Sequence, residues 1–198
     1  MRIKLFIILF LAAAPAALSQ DSEKIRSFET GRLDLNNNGL LILGAWAAGN
    51  ILIGTVGNFS AAGEKKYFHQ FNAMWNVVNL GIAAGGYYAN SLVDVNSLSY
   101  SEIFNEYSWL QSFYLLNAGL DAAYITAGFY LLEKSKNSPG NSDRLKGYGY
   151  SLFVQGGFLL IFDVLMYSFN LQHAKNNLYP YLAVMQNDSH VIGLKVIF

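Results

Sequence analysis

The 198-residue sequence contains no cysteine. Disulfides, thiolate zinc sites, iron–sulfur clusters and a lipid anchor on cysteine are thereby excluded, and cysteine usage says nothing of the redox compartment. Charge is scarce too: Asp, Glu, Lys and Arg make up 13% of the chain, about half the share in an ordinary globular protein. Thirteen basic and 13 acidic residues cancel, so no basic surface exists to neutralise phosphates, and a nucleic-acid partner is excluded. Reactive constellations are missing as well. There is no HExxH, no Ser–His–Asp grouping and no phosphate-cradling glycine loop. His69, His173 and His190 are scattered, and the first two fall at opposite faces of the expected bilayer, too far apart to bracket one haem. No metal site, no cofactor and no enzymatic activity are expected.

What the chain does have is apolar surface: 53% of its residues are hydrophobic and 15% aromatic. Arg2 and Lys4 precede the apolar run "LFIILFLAAAPAAL", and Ala17 and Ser19 are small residues just ahead of Gln20. This is the pattern of a secretory signal peptide over residues 1–19, with an uncleaved anchor helix as the competing reading. Residues 20–38 form a polar, helix-compatible segment, with Asn36–Asn38 expected as a cap or turn. Apolar stretches then recur at 39–59, 68–89, 112–132 and 148–169, each about 31 Å long as a helix, which matches a hydrocarbon core. Short connections between them predict an all-α, antiparallel up-down four-helix transmembrane bundle over 39–172. Within the tail 173–198, the stretch "YPYLAVMQNDSHVIGLKVIF" (179–198) reads as a small β-hairpin with its turn near Asn187–Ser189. A β-barrel is rejected as the whole fold, because the apolar runs are continuous rather than alternating.

Export of Gln20 puts the 60–67 and 133–147 connections in the cytoplasm. They hold Lys65, Lys66, Lys134, Lys136, Arg144 and Lys146, whereas the 90–111 connection has no Lys or Arg. The positive-inside rule thus agrees with the signal peptide, and both mature termini are expected in the periplasm. Ser99 and Glu102 form a capping-box pattern, so either the third helix begins outside the membrane or a short surface helix precedes it.

Polar residues recur on one face of each span. Asn72, Asn76 and Asn79 lie within about 60° on the second helix, with His69 just beyond that arc. Asn50, Gly54 and Gly57 share a face of the first, Asn117 and Asp121 of the third, and Gln155 and Asp163 of the fourth. Matching by rise per residue puts Asn76 level with Gln155, Asn79 with Asn50, and Asn117 with Asp163. An Asp at a helix centre costs roughly 2.5–3.5 kcal/mol on insertion scales, so Asp121 and Asp163 are expected to point inward and to hydrogen-bond with Asn and Gln. Gly81 and Gly85, on the reverse side of the second helix, are expected to pack closely against a neighbour, as are Gly54 and Gly57.

The stretches "GLLILGAWAAGNILIGTVG", "YFHQFNAMWNVVNLGIAAGGYY", "LNAGLDAAYITAGFYL" and "QGGFLLIFDVLMYSFN" resemble a family of small, uncharacterised four-span membrane proteins of Bacteroidota-type bacteria. The resemblance implies a bacterial inner-membrane setting with a periplasmic tail, and carries over no activity and no functional residue. Two functions remain in view. One is a non-enzymatic integral membrane protein with a structural polar core, in contact with the lipid bilayer and with another membrane or periplasmic protein. The other is a small transporter or proton-linked channel using Asp121, Asp163 and the asparagine face. They differ in whether the polar seam is a closed hydrogen-bond network or lines a cavity.

Overall fold

The structure is a computed structural model that describes the backbone of residues 2–182 and the side chains of residues 23–182. Four long helices make up the described chain: α1 (Arg2–Ser60), α2 (Gly63–Ser91), α3 (Tyr100–Lys136) and α4 (Ser142–Asn177). Among the described residues there is no strand. α1 and α2 are joined by two residues, and Gly63 takes φ +58°, a left-handed conformation that a side chain would oppose. A 3-10 turn, Pro139–Asn141, makes the α3–α4 connection. The α2–α3 connection ends in the expected capping box: the Ser99 hydroxyl accepts from Glu102 N–H, and the Glu102 carboxylate accepts from Ser99 N–H at 2.7 Å. The Ser99 hydroxyl and backbone donors hold the Glu102 carboxyl below its ordinary pKa.

Cross-helix contacts fix the directions. Asn37 meets Asn90 and Asn50 meets Asn72, so α1 and α2 are antiparallel; Tyr107 meets Tyr179 and Gly128 meets Gly149, so α3 and α4 are too. α4 also lies against α1 and α2, whereas α3 is held mainly by α4 and barely touches α2. The α1–α2 and α3–α4 connections therefore share one end of the bundle, here the turn end. At the opposite end α1, α3 and α4 run on into a cap. Its core is Ile25, Phe28, Ile103, Tyr107, Ala174 and Leu178. His173 stacks on Phe28 with ring centroids 4.9 Å apart, and its Nε2 lies 2.9 Å from the Phe28 carbonyl oxygen.

Below the cap the usual arrangement of polar and apolar residues is inverted. Asn76 and Gln155 are 0% exposed, while Leu52 and Val56 are each 69% exposed. Three of the helices, α1 from Glu23, α3 and the helix ending at Asn177, are long and apolar enough to cross a membrane. α2, expected as a fourth span, is long enough but not apolar enough on average, because it carries the asparagines. Those point inward, and Val77, Val78 and Ile82 make its outer face apolar.

Three expectations are corrected. Asn36–Asn38 do not cap or turn; they lie inside the continuous α1, because Asn36 is buried and paired with other helices. Residues 173–177, expected in the tail, belong to α4, and residues 179–182, expected in the hairpin's first strand, form a further helical turn, since Ala174 and Leu178 bury against the cap. The rest of that expected hairpin lies outside the described residues. Gly81 and Gly85 face outward with open space where a Cβ would stand, so they pack against nothing in this chain.

Close approach occurs at other glycines. A Cβ on Gly54 would stand 2.7 Å from the His69 carbonyl oxygen, and one on Gly57 would collide with the His69 ring. On α4, Gly147 faces the backbone of Glu64 and Phe68, and Gly156 stands against Asp121 O and Ile125. Gly147→Ala should therefore destabilise the bundle by about 1–3 kcal/mol through overpacking. Gly81→Ala should be neutral or stabilising, because alanine is the better helix former by roughly 1 kcal/mol. Unfolding in mixed micelles measures both.

Candidate functional site

The asparagines of α2 begin as a helical stripe and end as two different things. Toward the turn end they join a closed ring. Trp46 Nε1–H donates to Gln155 Oε1 at 3.2 Å, and Gln155 Nε2–H donates to Asn72 Oδ1. Asn72 Nδ2–H donates to Asn50 Oδ1 at 2.8 Å, and Asn50 Nδ2–H returns to the Trp46 carbonyl at 2.8 Å. Three helices thereby satisfy one another's amides with no water required. Asn76 and Asn50 each spend one amide proton on the carbonyl four residues back, which fixes the rotamer and turns Oδ1 away from its own helix. Trp46 also stacks on Phe158 with centroids 3.9 Å apart, closing the ring with apolar surface.

Toward the cap the stripe opens onto a cavity of about 710 Å³. Its floor is Trp75 of α2 set edge-on against Tyr124 of α3, centroids 4.7 Å apart, just above the ring. Leu43 and Leu159 form the back, Val93 and Leu98 the roof, and the weakly joined α2 and α3 flank an open front. Along α1 the cavity extends from Glu29 to Leu43, about 21 Å.

Polar groups enter this cavity at two levels. Near the roof, Arg32 holds Glu29 in a bidentate ion pair, Nε to Oε2 at 2.8 Å and Nη2 to Oε1 at 2.5 Å, with Glu29 fully buried. Beneath it Asn36 accepts from Tyr114 O–H at 2.8 Å and exchanges hydrogen bonds with Asn170. Deeper, Asp121 and Asp163 come within hydrogen-bonding reach of each other. Such a pair bonds only when one carboxyl carries the proton, since a carboxylate has no donor. Asp121 is 3% exposed, and its Oδ2 receives no hydrogen bond from the described residues.

The sequence-derived residues therefore separate. Asn50, Asn72 and Gln155 meet in the ring, with Asn76 completing the stripe and Asn79 bonding back to Asn76 while facing the cavity. Asn117, Asp121 and Asp163 line the cavity. His69 joins neither; it packs on Gly54 and Gly57, and its Nδ1 is buried without a partner among the described residues. Two expectations change. Asp121 and Asp163 approach each other rather than amides, because α3 and α4 put both on the inner face at one level. The partner of Asn50 and Gln155 is Asn72, not Asn79 or Asn76, since amide side chains reach along the axis by a large part of a turn.

Sequence reasoning missed Trp46, Tyr114 and the Glu29–Arg32 pair. Trp46 lies four residues before Asn50 on the same face, a spacing that could have pointed to it. Glu29 and Arg32 sit in a stretch whose composition looks solvent-exposed, and nothing local marks them as buried.

The ring yields a direct test. In a double-mutant cycle with Asn72→Ala and Gln155→Ala, the coupling energy should be about 0.6–1.7 kcal/mol, the range of interhelical hydrogen bonds in membranes. Reversible unfolding of the purified protein in mixed micelles measures it, and a coupling near zero would show that the amides act independently.

No curated protein and no solved structure matches the chain. A family of unknown function, DUF6992, matches over residues 42–164, a span that starts within α1 and ends just past Asp163. It takes in the ring, the cavity floor, both aspartates and the α3 residues of the cap, Ile103 and Tyr107, and leaves out the cap residues of α1 and α4. On that match the chain belongs to the DUF6992 family.

Proposed function

We propose that the protein is a non-enzymatic integral membrane protein of the bacterial inner membrane that holds a ligand in a chamber on its periplasmic side. The observation that carries this reading is the pairing of an open chamber with a sealed layer directly beneath it. In the half of the bundle near the turn end, the amides of α1, α2 and α4 satisfy one another and Trp46 stacks on Phe158. In the half near the cap, the same polar seam lines about 710 Å³ of space. A chamber closed at one end suits binding; conduction needs a continuous path.

The membrane setting is supported by the inverted surface. An exterior of Leu41, Ile42, Leu52, Ile53, Val56 and their neighbours far exceeds the apolar patches that soluble monomers expose. The orientation is supported by charge. Lys65, Lys66, Lys134, Lys136, Arg144 and Lys146 all lie at or next to the turn end. With that end in the cytoplasm, the cap, both mature termini and the chamber lie on the periplasmic side, and residues 1–19 act as the signal peptide.

The cysteine-free sequence makes the orientation simple to test. A single Ser138→Cys should react with a membrane-impermeant maleimide only after the cells are opened, and a single Ser97→Cys should react in intact spheroplasts. The reverse pattern would overturn the orientation.

The channel reading uses Asp121, Asp163 and the asparagine face as a proton path, and it makes the opposite prediction for flux. Liposomes containing the purified protein and an internal pH dye should leak protons no faster than empty liposomes under an imposed pH gradient. A wild-type flux lost in Asp121→Asn or Asp163→Asn would replace binding with transport.

A further inference from the structure

The chamber's charge and lining name a class of ligand, an inference that rests on the binding reading above. Four carboxyls line it, Glu29, Glu106, Asp121 and Asp163, against the single guanidinium of Arg32. That guanidinium is already engaged with Glu29 through Nε and Nη2, so it offers an anion little uncompensated charge. Asp121 lines the lower chamber beside Asp163, and its buried Oδ2 has no hydrogen-bond donor among the described residues. A buried acceptor left unmatched is unfavourable, and a positive charge seated beside it lowers that cost.

The walls supply the second half of the argument. Trp75, Tyr124 and Phe162 surround the space near the aspartates, and Trp109, Phe113 and Tyr114 stand nearer the roof. Aromatic faces attract cations, most strongly where water is excluded. Apolar side chains such as Leu43, Ile82 and Leu159 fill the remaining wall and favour an apolar body. The opening between α2 and α3 faces the surface where Val77, Val78, Leu115 and Leu116 are exposed, which is the lipid side in the proposed setting.

We propose that the chamber binds a lipophilic monocation, an amine or onium group on an apolar body, which enters sideways between α2 and α3 and seats its charge beside Asp121 and Asp163. An anionic amphiphile would meet the carboxyl excess. A neutral lipid tail would leave Asp121 Oδ2 unmatched.

The test compares two probes of the same shape and opposite charge. Wild-type protein in phosphatidylcholine nanodiscs is dialysed against tetraphenylphosphonium or tetraphenylborate, with empty nanodiscs subtracted. The cation should bind saturably and at least about tenfold more tightly than the anion, as expected for a desolvated charge among carboxyls and aromatic faces. Asp121→Asn with Asp163→Asn should remove most of that preference, and the wild-type comparison stands even if this variant fails to fold. Equal binding of the two probes would overturn the cation inference and leave the chamber as a general apolar site. Failure of both to bind would overturn the binding chamber itself. Cation binding unchanged in a folded double variant would remove the aspartates as its seat.

Discussion

The side chain of Asn72 is the joint on which the bundle's arrangement depends. Its oxygen accepts from Gln155 of α4 and its nitrogen donates to Asn50 of α1, so one amide on α2 fixes three helices at one level. In the proposed membrane setting, apolar side chains gain nothing by leaving one another's company for that of acyl chains, and register must come from packing and polar pairs. The glycines cooperate with this joint. Gly54 and Gly57 admit His69, and Gly147 admits the start of α2, so the backbones are already close where the amides meet.

α3 is absent from the ring, and the shape of the chamber follows from that absence. It is fastened to α4 by backbone-to-backbone approach at Gly128 and Gly149 and at Gly156, and to the cap by Tyr107 and Ile103. Between those attachments it faces α2 across a gap that Trp75 and Tyr124 bridge. A helix held at its two ends and along one side leaves a cleft on its free side. Asp121 and Asp163 line that cleft, whereas Asn50, Asn72 and Gln155 of the ring do not.

How far the sequence foretold this depends on what kind of information each residue carries. Helical periodicity states which residues share a face, and it correctly grouped Asn72, Asn76 and Asn79 as inward. It does not state which face has a neighbour, so Gly81 and Gly85 looked like a contact surface and are open. Local propensity made Asn36–Asn38 a plausible turn. Tyr114 and Asn170, each 78 residues or more away in the chain, outweigh it by pairing with Asn36 inside a continuous helix. The Ser99–Glu102 capping box is wholly local, and there sequence and structure agree. The chamber was illegible because it is a gap between helices, and no residue encodes a gap.

One consequence lies in the continuity of α1. From Glu23 to Ser60 it is a single rod about 57 Å long, with the Glu29–Arg32 pair near one end and Trp46 and Asn50 further down the same shaft. No proline interrupts that stretch to absorb a bend. Twisting the rod at the cap therefore turns the hydrogen-bonding groups of the ring by nearly the same angle. Phe28 in the cap and Trp46 and Asn50 in the ring thus stand on one unbroken helix.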